Sequence, residues 1–173
     1  MSNLPQLASL LKSKNVVDGK IATIIDRPTH LQDVGAYIAS AIFGIALVPP
    51  GTETDIDGKF INGPHAGRNV VIQWHPRQEN SLSLKTDTPI DYYLVLAGPK
   101  NSAPSIHSPW IIEAVFLFDA QHLFMALRER NVHIGTRTSI ITELWDRAEI
   151  YPRQHNTTLL LSEEQRAMLA LFH

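Results

Sequence analysis

DGKFINGPHAGRNVVIQWH, residues 57–75, is the stretch on which the reading of the fold turns. Its second half alternates. In an extended chain Val70, Ile72 and Trp74 point one way, and Val71, Gln73 and His75 the other. Asn62-Gly63-Pro64 and Ala66-Gly67 supply turn chemistry just before it. Residues 54–60 also alternate, so 54–60 and 68–75 are predicted to pair as a β-hairpin. Asp55 and Asp57 stand two apart in the first of these strands, on one face, and Gly58 permits a tight bend. Hairpin pairing would bring this face to Gln73 and His75.

Towards the N-terminus the period is helical. Asp33 to Leu47 carries Val34, Tyr37, Ile38, Ala41, Ile42 and Ile45 as one wide apolar stripe. Thr29 or Asp33 can cap its start, Gly44 loosens its end, and Pro49-Pro50-Gly51 stops it. Residues 4–12 and 15–25 are predicted as two shorter amphipathic helices, the second closed by Arg27-Pro28.

Towards the C-terminus, IDYYLVLA (90–97) is an unbroken apolar run, the mark of a strand buried on both faces. A polar loop over 99–109 precedes a strand at 111–118 and a helix at 120–130. A short strand is expected at 132–135, helices at 138–146 and 162–172, and a linker at 151–156. Ser162 with Gln165 makes a capping box. The order predicts an α+β fold with a mixed central β-sheet flanked by helices. One domain is expected over residues 1–173: an N-terminal helical segment (1–28), a core (29–119) and a C-terminal helical part (120–173).

Bulk properties narrow the function classes. The chain has no cysteine, which excludes disulfides, thiolate nucleophiles and zinc–thiolate sites. The start, MSNLPQLASLLKSKN, lacks a signal-peptide pattern, and the longest apolar run is too short to span a bilayer. A cytoplasmic protein with no membrane role is expected. The net charge of −2 does not favour nucleic acid as a partner, although a local basic edge can suffice. No phosphate-binding glycine loop, nucleophile elbow or paired-histidine spacing is present.

The Asp-rich end of the hairpin has two readings. Mg²⁺ takes one or two carboxylates, waters and phosphate oxygens, so Asp55 and Asp57 beside a polar strand face could hold it. Such an ion lowers the pKa of a bound water and stabilises charge on a phosphate under attack. The other reading is a plain turn, because Asp-x-Asp-Gly is common turn chemistry.

Six segments together carry a resemblance: GAYIASAIFGIAL (35–47), DGKFINGPHAGRNVVIQWH (57–75), DYYLVLAGP (91–99), SPWIIEAVFLFDA (108–120), and the later HIGTRTSIITELWDRAEIYP and LSEEQRAMLALF. They resemble a bacterial family of uncharacterised proteins similar to restriction endonucleases, with the PD-(D/E)XK nuclease core. The resemblance spans most of the chain. It implies a restriction-endonuclease-like fold, DNA as partner, Mg²⁺ as cofactor, and in-line attack of water on a phosphodiester. It also implies site positions. The acidic position of the first helix falls on Ala36, the motif aspartate on Asp57, the second acidic or amide position on Val71, and the lysine on Gln73. A shifted register instead makes Gln73 the metal-side amide and His75 the general base. Asp33, Glu53 and Asp55 are candidate migrated carboxylates. The alternatives are a degenerate member that binds DNA or a protein without cleavage, and a scaffold or ligand-binding protein with no nucleic-acid role.

Lys59, His65, Arg68, Arg77 and Lys85 lie near the hairpin and are candidate phosphate contacts, against the plainer reading of a solvated face. Trp74, beside Val70 and Ile72, reads as core, and Trp110 and Trp145 as packing residues. Arg128, Arg130, Arg137 and Arg147 with Glu129, Glu143, Asp146 and Glu149 read as salt-bridged faces. Because duplex cleavage often needs two sites, a homodimer is an expectation.

Overall fold

A computed structural model of the chain describes residues 3–100 and 110–173. Most of the predicted 99–109 loop therefore lies outside the described residues. In chain order the elements are α1 (Leu4–Ile25), α2 (Leu31–Phe43), β1 (Ile45–Leu47), β2 (Gly58–Phe60), β3 (Asn69–His75), β4 (Ser81–Leu82), β5 (Tyr92–Ala97), β6 (Ala114–Asp119), α3 (Ala120–Glu129), β7 (Thr138–Ser139), α4 (Thr142–Ala148), β8 (Glu149–Tyr151) and α5 (Glu163–Ala170). The class is α+β, as the alternation of periods predicts.

The main sheet runs β1-β2-β3-β5-β6-β8, and β4 pairs with β7 in a separate ribbon. Among the described residues only β3 and β5 pair in parallel; every other pair is antiparallel. Each face of the sheet has its own core. On one, Val70, Ile72, Trp74, Leu94, Leu96, Val115 and Leu117 pack with Ala36, Ile38, Ala39 and Ile42 of α2 and Leu169 of α5. On the other, Tyr93, Val95, Phe116 and Phe118 pack with Leu123 and Leu127 of α3, Trp145 of α4, and Leu82 and Leu84 around β4. The alternation of β3 thus sends its apolar face to α2, and β5 is buried on both faces as its unbroken apolar run requires.

Local chemistry sets several boundaries. α2 stops at Phe43, four residues before its predicted end, because Gly44 takes φ 64° and caps it, its N–H donating to the Ser40 carbonyl. Ile45–Leu47 then turns back as β1. Gly58 is required where β2 meets β1, since a Cβ there would stand 2.6 Å from the Ala46 carbonyl oxygen. The predicted helices 4–12 and 15–25 are one helix, and the Lys14–Asp18 ion pair lies across the expected break. The predicted strand at 132–135 is absent; Thr138–Ser139 forms β7 instead, and the helix begins at Thr142. β8 ends at Tyr151, the first residue of the segment read as a linker, and pairs with β6. The Ser162–Gln165 capping box opens α5 as predicted.

Candidate functional site

The polar face of β3 floors a cleft of about 460 Å³. β2 is short, and this creates the site. β2 and β3 are in ladder register only at Lys59↔Asn69 and Gly58↔Val70. Beyond Val70 the edge of β3 needs other partners, because an unpaired buried backbone group is costly. Side chains supply them. Asp57 Oδ2 accepts the Ile72 N–H at 2.7 Å. One step further, Gln32 Nε2 donates to the Trp74 carbonyl at 3.2 Å, and its Oε1 accepts the Trp74 N–H at 3.1 Å. Asp57 and Gln32 complete the edge where a neighbouring strand would have run.

The opposite wall, residues 81–85, is held by two side chains from the sheet. Gln73 Nε2 donates to the Ser83 carbonyl at 2.7 Å, and its Oε1 accepts the Ser83 N–H at 3.3 Å. Tyr93 does the same for Lys85: its hydroxyl accepts the Lys85 N–H at 3.0 Å and donates to the Lys85 carbonyl at 3.3 Å. Burial raises the Tyr93 hydroxyl above its ordinary range, which keeps it a donor. Thr136 and Arg137 complete the rim.

The titratable groups differ in environment. Burial pushes the Asp57 carboxyl up; the Ile72 N–H, Arg27 and Lys85 pull it down, and Asp33 pushes it further up. Asp55 is exposed and held below its ordinary value by hydrogen bonds from Lys85 and Thr88. His75 is driven below its ordinary value by burial, partly offset by Glu79. Its Nδ1 is enclosed without a hydrogen-bond partner, and the ring lies 6.3 Å from that of Trp145. A neutral imidazole is the form this pocket favours.

Asp55, Asp57, Gln73, His75 and Lys85 all line this cleft, so five predicted residues are brought to one place. The remaining basic candidates lie elsewhere. His65 is buried, 4.4 Å from the Tyr92 ring and 5.7 Å from that of Phe60, so it offers no surface to a phosphate. Arg68 pairs with Asp91 at 3.3 Å. Lys59 is exposed on β2, and Arg77 is exposed just past β3. Ala36 is buried in the core beneath the sheet, so α2 sends no carboxylate from that position. For a divalent cation the cleft lining offers Asp57, with Oδ2 already committed to Ile72, and Glu79; Asp55 is engaged by Lys85 and Thr88. That donor set meets the one-or-two-carboxylate requirement of Mg²⁺ and no more. No cluster of three or more His, Cys, Asp or Glu side chains suited to a metal occurs among the described residues.

Sequence reasoning missed Gln32, Tyr93 and Arg137 as cleft residues. Gln32 stands one residue before Asp33, in the first turn of α2, and a polar side chain there reads as solvent-facing. Tyr93 sits inside an apolar run that hides its hydroxyl. Of the predicted salt-bridged faces, Glu143 pairs with Arg130 and Arg147; Asp146 and the buried Glu149 pair instead with Arg153, and Arg137 lines the cleft. No helix among the described residues is long and apolar enough to cross a membrane. No protein-family model matches the chain, and no curated protein matches it.

Proposed function

We propose that this chain is a nuclease-like domain whose cleft holds a nucleic-acid strand without hydrolysing it. The arrangement that supports the nuclease likeness is α2, then Asp57 opening β2, then β3 in the sheet, then the buried parallel β5. One observation carries the loss of cutting. Gln73 stands where the resemblance places a water-activating lysine, and both ends of its amide are bound to the Ser83 backbone. It holds the cleft wall and has no proton to give or take. Strand binding is supported by Arg137 on the cleft wall and by exposed Arg77 at the end of β3. The polar hydrogen-bonding rim of Thr54, Ser81, Ser83 and Thr136 suits sugar and base edges.

Fluorescence anisotropy with single- and double-stranded oligonucleotides across a salt series tests this. Binding should weaken with salt and be reduced by Arg137→Ala or Arg77→Ala. Plasmid incubated with Mg²⁺ or Mn²⁺ should stay intact. Absence of binding at low salt sinks the proposal.

A second reading, metal-assisted hydrolysis, is favoured by one observation: the carboxylates of Asp55, Asp57 and Glu79 all line the cleft. In that reading Asp57, with Asp55 beside it in the cleft lining, would hold the cation, which would lower the pKa of a bound water, and neutral His75 would accept the proton. Nicking that is lost in both Asp57→Ala and Asp55→Asn would establish it.

A further inference from the structure

Charge is unevenly placed in the cleft over β3. Its carboxylates are Asp55, Asp57 and Glu79, and its cations are Lys85 and Arg137. Lys85 is spent on Asp55, so one guanidinium is set against two carboxylates. Arg137 and Arg77 are both exposed. A phosphodiester drawn deep into the cleft meets carboxylate charge; held at the rim, it meets guanidinium. Val71, Leu82 and Ile90 add apolar wall. A nucleobase is uncharged, with apolar faces and a polar edge, so it suits this interior where a phosphate does not.

Size points the same way. A cleft of about 460 Å³ is in the range that one small molecule fills. A duplex keeps its bases paired inside and turns its phosphates outward. A single strand can turn a base out, with its pairing edge free.

The sheet leaves one side chain to meet that edge. Gln73 has both ends of its amide on Ser83, and the Tyr93 hydroxyl donates and accepts at Lys85. Gln32 has both ends of its amide on Trp74, and Asp57 Oδ2 is on the Ile72 N–H. His75 shares the β3 face with Gln73 and lines the cleft, yet clamps no wall. Its Nδ1 is enclosed without a partner, which leaves Nε2 for a ligand. A neutral imidazole can present a donor or an acceptor there, by choice of tautomer.

We infer that the cleft takes an unpaired base from a single strand, with His75 bonding the base edge and Arg77 and Arg137 holding flanking phosphates at the rim. This rests on the strand-binding reading and adds which part of the strand enters.

Fluorescence anisotropy at one fixed salt concentration should compare three probes of equal length: a single strand, the same backbone with an abasic site at every position, and the matching duplex. The wild type should bind the base-bearing strand about tenfold more tightly than either other probe. His75→Phe should lose about three- to tenfold on the base-bearing strand and nothing on the abasic one. His75→Gln, which keeps a donor and an acceptor, should recover most of that loss. Arg137→Ala should weaken both single strands alike. Thermal unfolding of each variant checks that it is folded, and the wild-type comparison of probes needs no variant. Equal affinity for base-bearing and abasic strands, tighter binding of the duplex, or an equal loss on both strands in His75→Phe would overturn the inference and leave strand binding standing. Failure of all three probes to bind would overturn the strand-binding reading and the inference with it.

Discussion

The two faces of β3 belong to one seven-residue strand and have opposite characters. Val70, Ile72 and Trp74 are buried against α2 and need no partner beyond close packing. Trp74 also lies 4.9 Å from the ring of Trp110. Val71, Gln73 and His75 face a cleft, and there the neighbouring chain is held by directed hydrogen bonds. One face tolerates change in hydrogen-bonding chemistry badly because it has no polar partner to offer. The other tolerates change in shape better, but there Gln73 has an assigned partner at Ser83 while His75 Nδ1 has none. Stability is concentrated on the first face, and the capacity to bind on the second.

The sharpest way to break this comparison is Trp74→Ala. The side chain is 2 % exposed, so its removal should cost about 3–5 kcal/mol by urea unfolding. A cost below about 1 kcal/mol would mean that the α2 face is loosely packed. Gln73→Met keeps the volume and deletes the clamp. It leaves the Ser83 N–H and carbonyl without partners, for an expected loss of about 1–3 kcal/mol. Faster amide exchange at Ser83, with exchange in β5 unchanged, would localise the loss to the cleft wall.

Protonation provides a finer test. His75 and His65 both have folded pKa values below their ordinary 6.5, chiefly through burial. The unfolded chain therefore binds more protons than the folded chain below that pH. Their contribution is complete above pH 6.5 and is lost as pH falls through 6.5 towards the folded values. His75→Gln should flatten part of this acid loss in a series of unfolding curves, and an unchanged pH profile would place His75 in a wetter site.

Asp57 runs the other way and should give the smallest effect. Its folded pKa is above the ordinary 3.8, so its contribution is complete below pH 3.8 and is lost as pH rises through the folded value. Asp57→Asn can still accept the Ile72 N–H but carries no charge to desolvate. The stability of Asp57→Asn relative to wild type should therefore grow as pH rises from 3.8. A difference that shrinks over that range would show that Arg27 and Lys85 outweigh burial.

Much of the fold was legible in residue order. The alternation in 70–75 and the apolar run in 92–97 required a strand with two unlike faces and a strand with two buried ones, and both are present. The stripe of α2 was clear, but its end was not, because Ile45 continues the helical pattern and only the left-handed turn at Gly44 redirects it. β4, β7 and β8 are two or three residues long, too short for any period to register. In the cleft, strand periodicity put Asp57, Gln73 and His75 on one face. It could not reveal that Asp57 caps Ile72 or that Gln73 clamps Ser83, since both bonds join residues ten or more apart.

Residue order alone sets the α+β class, the two-faced β3, and which residue types face the cleft, because those follow from local period and composition. What each polar group does there was settled by packing in three dimensions. A glutamine can order water or bind a peptide unit, and an aspartate can hold a cation or cap a strand edge. The choice depends on which backbone the fold brings within hydrogen-bonding distance, and here that backbone comes from residues 72 and 83.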